Sequence, residues 1–133
     1  YGAACVEAAL NTAVDIEQKE QVTVEVLDLR TIAPLDWETV CDSARRNHRV
    51  IVMHEAHAEG SVSSDVAARA QEACYEFLYG PVIRVCAKDM PIPSARALEM
   101  DRLPYVLEDD PQKKTKRIVS PKLEETIRFL MKF

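Results

Sequence analysis

The sequence predicts one α/β domain, a three-layer sandwich in which a mostly parallel sheet lies between helices. Three observations carry this. Val50-Ile51-Val52-Met53 is an apolar run too short for a globular helix and too continuous for a half-exposed strand, as expected of a strand covered on both faces. Strand-like and helix-like patterns alternate along most of the chain. His54, Glu55, His57 and Glu59 then crowd the carboxyl end of the apolar run, where open α/β sheets place binding groups.

Taken in order, Ala3 to Glu17 reads as a helix with Val6, Ala9, Leu10 and Ala13 as its apolar stripe. Val22 to Leu29 is rich in β-branched residues and reads as a strand, with Thr23 and Glu25 on a less covered face. Its end brings Asp28, Arg30 and Thr31 to the same side of the sheet as the histidines if the two strands are parallel. Asp36 is placed to cap a helix whose inner stripe is Trp37, Val40, Cys41 and Ala44, and Arg45, Arg46, His48 and Arg49 suit its carboxyl end. After the central strand, Ser61 is placed to cap a helix running to about Leu78 on Val62, Val66, Ala70, Ala73, Cys74 and Phe77.

Tyr79-Gly80-Pro81 stops that helix, Val82 to Cys86 reads as a third strand, and Pro91 and Pro93 hold the following loop extended. Ala97, Leu98, Met100 and Leu103 suit one or two helical turns. Adjacent acidic and basic blocks make residues 108–117 a charged, solvated loop by expectation. Ser120-Pro121 opens a final helix on Leu123, Ile127, Leu130 and Met131: serine caps, and proline at the first helical position sacrifices no internal hydrogen bond. A doubly wound sheet feeds its first helix from a strand, so a strand is expected before Tyr1, with the chain being part of a longer one.

Composition narrows the classes of function. At 133 residues, 47% hydrophobic and 29% charged, the chain can bury a core, and its net charge of -5 and pI near 5.2 argue against nucleic-acid and anionic-membrane partners. No apolar run approaches the roughly 20 residues that span a bilayer. Cys5, Cys41, Cys74 and Cys86 are widely spaced without a C-x-x-C pair, which suits reduced thiols in helix and strand faces.

The residues offer little chemistry of their own. His54, His57 and Glu59 could ligate a metal in principle, but there is no H-E-x-x-H and a strand end need not converge them. Ser61, Ser63 and Ser64 lack a G-x-S-x-G elbow, and neither a G-x-G-x-x-G nor a phosphate-binding glycine loop is present. No catalytic, cofactor-binding or metal-binding residue is assigned. Asp28, Glu55 and Asp89, near strand ends, take capping or ion-pairing roles, and His54 that of a hydrogen-bonding residue at the sheet rim.

The segments V-E-V-L-D-L-R-T-I-A-P-L-D (24–36), R-V-I-V-M-H-E-A-H (49–57) and P-V-I-R-V-C-A-K-D-M-P-I-P (81–93) carry a resemblance. Together with Leu103-Pro104 they resemble the carboxyl-terminal domain of the β subunit of thiamine-diphosphate-dependent 2-oxo acid dehydrogenases of the pyruvate and branched-chain type, within the transketolase C-terminal-domain fold. The chain departs from the family at Gly60-Ser61, where many members have two glycines, and at the charged interval 108–117, which looks inserted.

The resemblance implies that the intact parent enzyme is an oxidoreductase of a multienzyme complex. It would decarboxylate a 2-oxo acid and reductively acylate the lipoyl group of E2 with thiamine diphosphate and magnesium, neither bound by this chain. Implied partners are the E1 α subunit, a second β subunit and the basic peripheral subunit-binding domain of E2. His54 and Glu55 would organise a strand-end loop or a subunit contact, while Glu99, Asp101 and the carboxylate of Phe133 would form an acidic docking contact. The implied location is the cytoplasm of a bacterium or the mitochondrial matrix of a eukaryote. Two other readings stay open: the carboxyl domain of a transketolase-like synthase, and a non-enzymatic α/β interaction domain.

Overall fold

A computed structural model describes residues 1–113 and 115–133. Its elements run α1 (Ala3–Glu20), α2 (Trp37–Asn47), β1 (Ile51–His57), α3 (Val62–Cys74), a single 3-10 turn at Tyr75–Phe77, β2 (Ile83–Ala87), α4 (Arg96–Arg102), β3 (Val106–Asp109), β4 (Lys116–Val119) and α5 (Pro121–Leu130). β1 pairs in parallel with β2, matching Ile51 with Ile83 and Met53 with Val85. The chain crosses between them through α3, as a parallel pair requires.

Side chains alternate across β1 and bury on both sides. Met53 joins Cys5, Ala8 and Ile16 of α1, Val85, and Leu123 and Ile127 of α5, whereas its neighbour Val52 packs with Val66 and Ala67 of α3. Successive strand residues point to opposite faces, so these clusters lie above and below the sheet, giving the expected α/β/α sandwich. Fully buried residues such as Ile16 and Val85 each contribute about 1.5–3 kcal/mol of apolar transfer.

Three expectations change. Val22 to Leu29 has Val22, Val24 and Val26 half-buried and Thr23 and Glu25 exposed, but among the described residues it joins no ladder. Val22 and Val24 pack on the α1/α5 cluster and Leu29 on the α3 cluster, so the segment has strand-like faces without a strand's pairing. Glu25 holds it in place by accepting from Arg46, Asn47 and Ser43 of α2, which lowers the carboxyl below its usual range, chiefly through Arg46 and then Asn47.

The charged interval 108–117 is a hairpin rather than one loop. β3 pairs antiparallel with β4, setting Glu108 opposite Arg117 and Asp109 opposite Lys116. The opposite charges that suggested a solvated loop are cross-strand pairs. Arg117 also reaches α1, giving two hydrogen bonds of 2.8 and 2.7 Å to Asp15. Asp110 closes the tip by accepting from the Gln112 and Lys113 amides, and Lys114 lies outside the described residues.

The third change is the inner face of α1: Cys5, Ala8, Thr12 and Ile16 are buried while Leu10 is half exposed. Apolar residues occupy so many positions of α1 that periodicity alone does not choose the face. Thr12 decides it by accepting the buried Ser120 amide at 2.9 Å.

Other boundaries follow the local signals. Asp36 caps α2 by accepting from the Thr39 amide at 3.0 Å, and Val40 and Ala44 form its buried stripe. Ser120 caps α5 by accepting from the Leu123 amide at 3.1 Å, with Pro121 at the first helical position. All four cysteines are free thiols, three of them buried. Ser120 also donates its hydroxyl to the Pro104 carbonyl. Ser120→Ala therefore removes a cap and leaves a buried acceptor without its donor, an expected cost of about 2 kcal/mol. Urea unfolding should show a lower midpoint with an unchanged slope.

Candidate functional site

β1 does not stop at Met53 but runs on through His57, and it bulges there. Between the Met53–Val85 and His57–Ala87 pairings, β1 advances four residues while β2 advances two. A bulge leaves backbone groups outside the ladder. One of them, the Ala56 amide, donates to Nδ1 of His54 at 3.2 Å. With Nδ1 accepting, the neutral ring carries its proton on Nε2, which faces the Ser61 hydroxyl at 3.2 Å. His54 is buried, and the Tyr1 ring stacks on it with centroids 4.9 Å apart.

Behind His54 runs a chain of small polar groups. Ser61 donates to the Ala58 carbonyl at 3.2 Å and lies 2.8 Å from the Ser63 hydroxyl, which is 3.4 Å from the Cys86 sulfur. Ser64 and Arg84 converge on the same Ala58 carbonyl, Arg84 at 2.7 Å. Ser61 precedes α3 without capping it through its side chain, because its hydroxyl is committed to the loop and to His54. Sequence reasoning set the serines aside as hydrolase nucleophiles and gave Ser61 the role of a helix cap. Their joint use as a loop clamp has no local signal, since Cys86 and Arg84 come from β2.

This arrangement is not a nucleophile–base pair. A general base must offer a lone pair to the hydroxyl, whereas Nε2 of His54 offers a proton and Ser61 gives its own to Ala58. Burial, then the Tyr1 ammonium and His57, lowers the His54 pKa and keeps the ring neutral. Beside it Glu55 accepts from the Tyr105 hydroxyl at 3.1 Å. Burial and then Glu55 raise the Tyr105 pKa, and burial followed by Glu55 pushes Cys5 up to about 12, so neither is an ionised nucleophile at neutral pH.

The other singled-out residues do not join this cluster. Arg30 donates to Asp28 at 2.9 Å on the surface of the extended segment. Asp89 is exposed in the turn after β2. Glu99 and Asp101 lie on α4, close to the carboxyl ends of the strands, where Asp101 accepts from Lys88 at 2.8 Å and the Lys88 amide bonds to Arg102. Phe133 is 55% exposed, meets Phe129 edge-on at 5.4 Å and packs beside Gly80, which precedes β2. Arg49, leading into β1, binds the Leu130 carbonyl at that same end. The acidic pair and Phe133 are therefore separated by the length of the strands, roughly 16 Å for five residues, and do not form one contact.

Among the described residues no three His, Cys, Asp or Glu side chains are placed to hold a metal, and no helix of the described residues is long and apolar enough to cross a membrane.

Comparison with known proteins adds what the geometry lacks. The family described as "Transketolase, C-terminal domain" matches residues 1–106. The chain is 34% identical over 100 residues to the pyruvate dehydrogenase E1 component subunit beta of Rhizobium meliloti, covering 75% of this chain and 22% of that protein. It is 42% identical over 91 residues to the 3-methyl-2-oxobutanoate dehydrogenase subunit beta of Mycobacterium tuberculosis, covering 68% of this chain and 26% of that protein. It is also 42% identical over 77 residues to the mitochondrial 2-oxoisovalerate dehydrogenase subunit beta of Dictyostelium discoideum, covering 58% of this chain and 21% of that one. The chain thus spans about a quarter of the length of these relatives.

The depressed His54 pKa has a consequence for stability. Below its ordinary value, near 6.5, the unfolded chain takes up a proton that the folded chain resists, so stability is fully present above that value and is lost as pH falls toward the folded pKa. Unfolding midpoints at pH 7.5 and 5.5 should differ more for the wild type than for His54→Gln; equal pH dependence in the two would show that His54 is not the titrating group.

The parallel pair, the helices on both of its faces and the match over residues 1–106 make this chain a member of the transketolase C-terminal domain family.

Proposed function

We propose that this chain is the carboxyl-terminal assembly domain of the β subunit of a thiamine-diphosphate-dependent 2-oxo acid dehydrogenase. The observation that carries the reading is its similarity to β subunits of both pyruvate and branched-chain enzymes over most of its length, while it spans only about a quarter of theirs. Its polar groups are spent on holding loops, which suits a domain that packs rather than reacts. In the parent enzyme, the E1 α subunit and a second β subunit are its partners, and the cofactor, with magnesium, belongs to other domains and supplies the decarboxylation chemistry. The parent then passes its acyl group reductively to the lipoyl group of E2, in a bacterial cytoplasm or a mitochondrial matrix.

The higher identity to the branched-chain subunits, 42% against 34%, leads us to favour a branched 2-oxo acid as the parent's substrate. The pure 133-residue chain, given thiamine diphosphate, magnesium and either pyruvate or 3-methyl-2-oxobutanoate, should turn over neither. Turnover of either by the chain alone would overturn the assembly reading, and faster turnover of pyruvate by the parent enzyme would overturn the substrate preference.

Docking of a basic E2 peripheral subunit-binding domain is the finer part of the proposal. Asp101 already pairs with Lys88, so Glu99 is the carboxylate available on α4, while Phe133 serves the contact between β subunits at the other end of the strands. In the intact parent assembly, Glu99→Lys should weaken E2-domain binding about tenfold, and deletion of Phe133 should loosen β–β association without that loss. Unchanged E2 affinity in Glu99→Lys, with assembly intact, would remove Glu99 from the docking site.

A further inference from the structure

α2 and α3 lie side by side in one helical layer, and the contacts between them bring two cysteines together. The Arg69 guanidinium of α3 stands 4.0 Å from the centre of the Trp37 ring at the start of α2. Near the end of α2, the Arg45 guanidinium stands 5.2 Å from the centre of the Phe77 ring, in the 3-10 turn that continues α3. The same sequence interval separates both pairs, so the two helices run alongside each other in one direction. His48, just past α2, fixes that end twice: its Nδ1 bonds to the Phe77 carbonyl at 2.8 Å, and its own carbonyl accepts from the Tyr79 amide at 2.9 Å.

Cys41 falls between these contacts on α2, about one helical turn from Trp37 and one from Arg45. Cys74 falls between them on α3, with Arg69 before it and Phe77 after. Small side chains let the backbones approach there, since the buried Ala44 of α2 and Ala70 of α3 line one cleft together. The Cys41 and Cys74 thiols meet across this helix pair. Burial, followed by the hydrogen bond it shares with Cys41, pushes the Cys74 thiol up to about 11, while Arg45 pulls the other way.

The two thiols differ in access. Cys74 is buried and Cys41 is half-buried, so a reagent from solvent meets Cys41 first. Neither of the other cysteines has such a partner. Cys5 packs in the α1/α5 cluster, whereas Cys86 follows Val85 of that cluster, points to the opposite face and lies 3.4 Å from the Ser63 hydroxyl. A buried thiol by itself behaves as a small hydrophobe. Two in contact, one of them open to solvent, can exchange electrons.

We propose that Cys41 and Cys74 form a peroxide-responsive dithiol, which closes to a disulfide that fastens α2 to α3. The Cys41 thiolate attacks one oxygen of hydrogen peroxide and the O–O bond breaks. Hydroxide leaves, takes up the proton that Cys41 released and becomes water, and Cys41 is left as a sulfenic acid. The Cys74 sulfur then attacks the Cys41 sulfur, the S–O bond breaks, and the hydroxyl departs with the Cys74 proton as a second water. Two electrons pass from the sulfurs to the peroxide, and a dithiol reductant restores them. The loop so closed contains β1, so oxidation restrains the unfolded chain on both sides of the central strand. The proposal does not depend on the enzyme reading above.

The test treats the folded 133-residue chain with hydrogen peroxide, alkylates the remaining thiols in denaturant and maps tryptic peptides by mass. Trypsin sets the four cysteines on separate peptides, residues 1–19, 31–45, 70–84 and 85–88, so each linkage has its own mass. The 31–45/70–84 linkage should be the main product within single chains and should disappear with dithiothreitol. The oxidised chain should gain roughly 5 °C in Tm. Cys41→Ser should abolish the linkage and the gain. Cys74→Ala should stop the reaction one step earlier, with a sulfenic acid at Cys41 that dimedone traps, while Cys5→Ala and Cys86→Ala should leave the linkage in place. Absence of the linkage in the folded wild type overturns the proposal. So does linkage of another pair, linkage only between chains, a Tm that falls on oxidation, or an equal yield of the pair from the chain unfolded in urea.

Discussion

Val52 and Met53 are adjacent in the chain yet buried in different cores, and the rest of the domain follows from that. A strand buried on both faces needs a helical layer on each, and the helices that supply them, α1 and α5 on one side and α2 and α3 on the other, come from the whole length of the chain. Because the ladder with β2 holds β1 in register, a one-residue slip would turn both apolar sets to the wrong layer. Removing either layer leaves one row of β1 side chains in water.

At the carboxyl end the same strand bulges, and its polar groups are consumed in repairing the bulge. His54 takes the Ala56 amide on one nitrogen and meets Ser61 with the other, while Ala58, Ser63, Ser64 and Arg84 close the loop around it. A histidine beside serines resembles a catalytic pair on paper. Here the direction of each proton makes it a brace, with burial keeping the ring neutral. At the position that open α/β sheets use for binding, these hydrogen bonds hold the loop that follows β1.

The two ends of the strands present different surfaces. Near the carboxyl ends are α4 with Glu99 and Asp101, and Tyr105 bonded to Glu55. Near the amino ends, Arg49, Tyr79, Gly80, Phe129 and Phe133 form an aromatic and cationic patch, with the Arg49 guanidinium 5.4 Å from the centre of the Tyr79 ring. Between the layers, segment 22–29 is held by Glu25 and its apolar faces, and among the described residues no backbone–backbone bond ties residues 22–27 to a strand.

The sequence by itself determined the helices, the caps of α2 and α5 and the central strand, because those signals are local: Asp36 and Ser120 cap as their positions imply, and Val50 to Met53 reads as a doubly buried strand. It also carried the family resemblance, since three ordered blocks need no packing to be read. Only the tertiary structure decided which face of α1 is buried, since Leu10 and Ala8 both satisfy a helical stripe and the choice rests on Thr12 meeting Ser120 across 108 residues. It likewise turned the charged interval into paired strands, because Glu108 and Arg117 attract each other only once β3 and β4 lie side by side. It left Val22 to Leu29 outside a ladder, because strand propensity is a property of the residues whereas pairing needs a neighbour at hydrogen-bonding distance. Whether His54 accepts or gives a proton was likewise settled by a bulge in the β1–β2 register, and register belongs to the assembled sheet rather than to either strand.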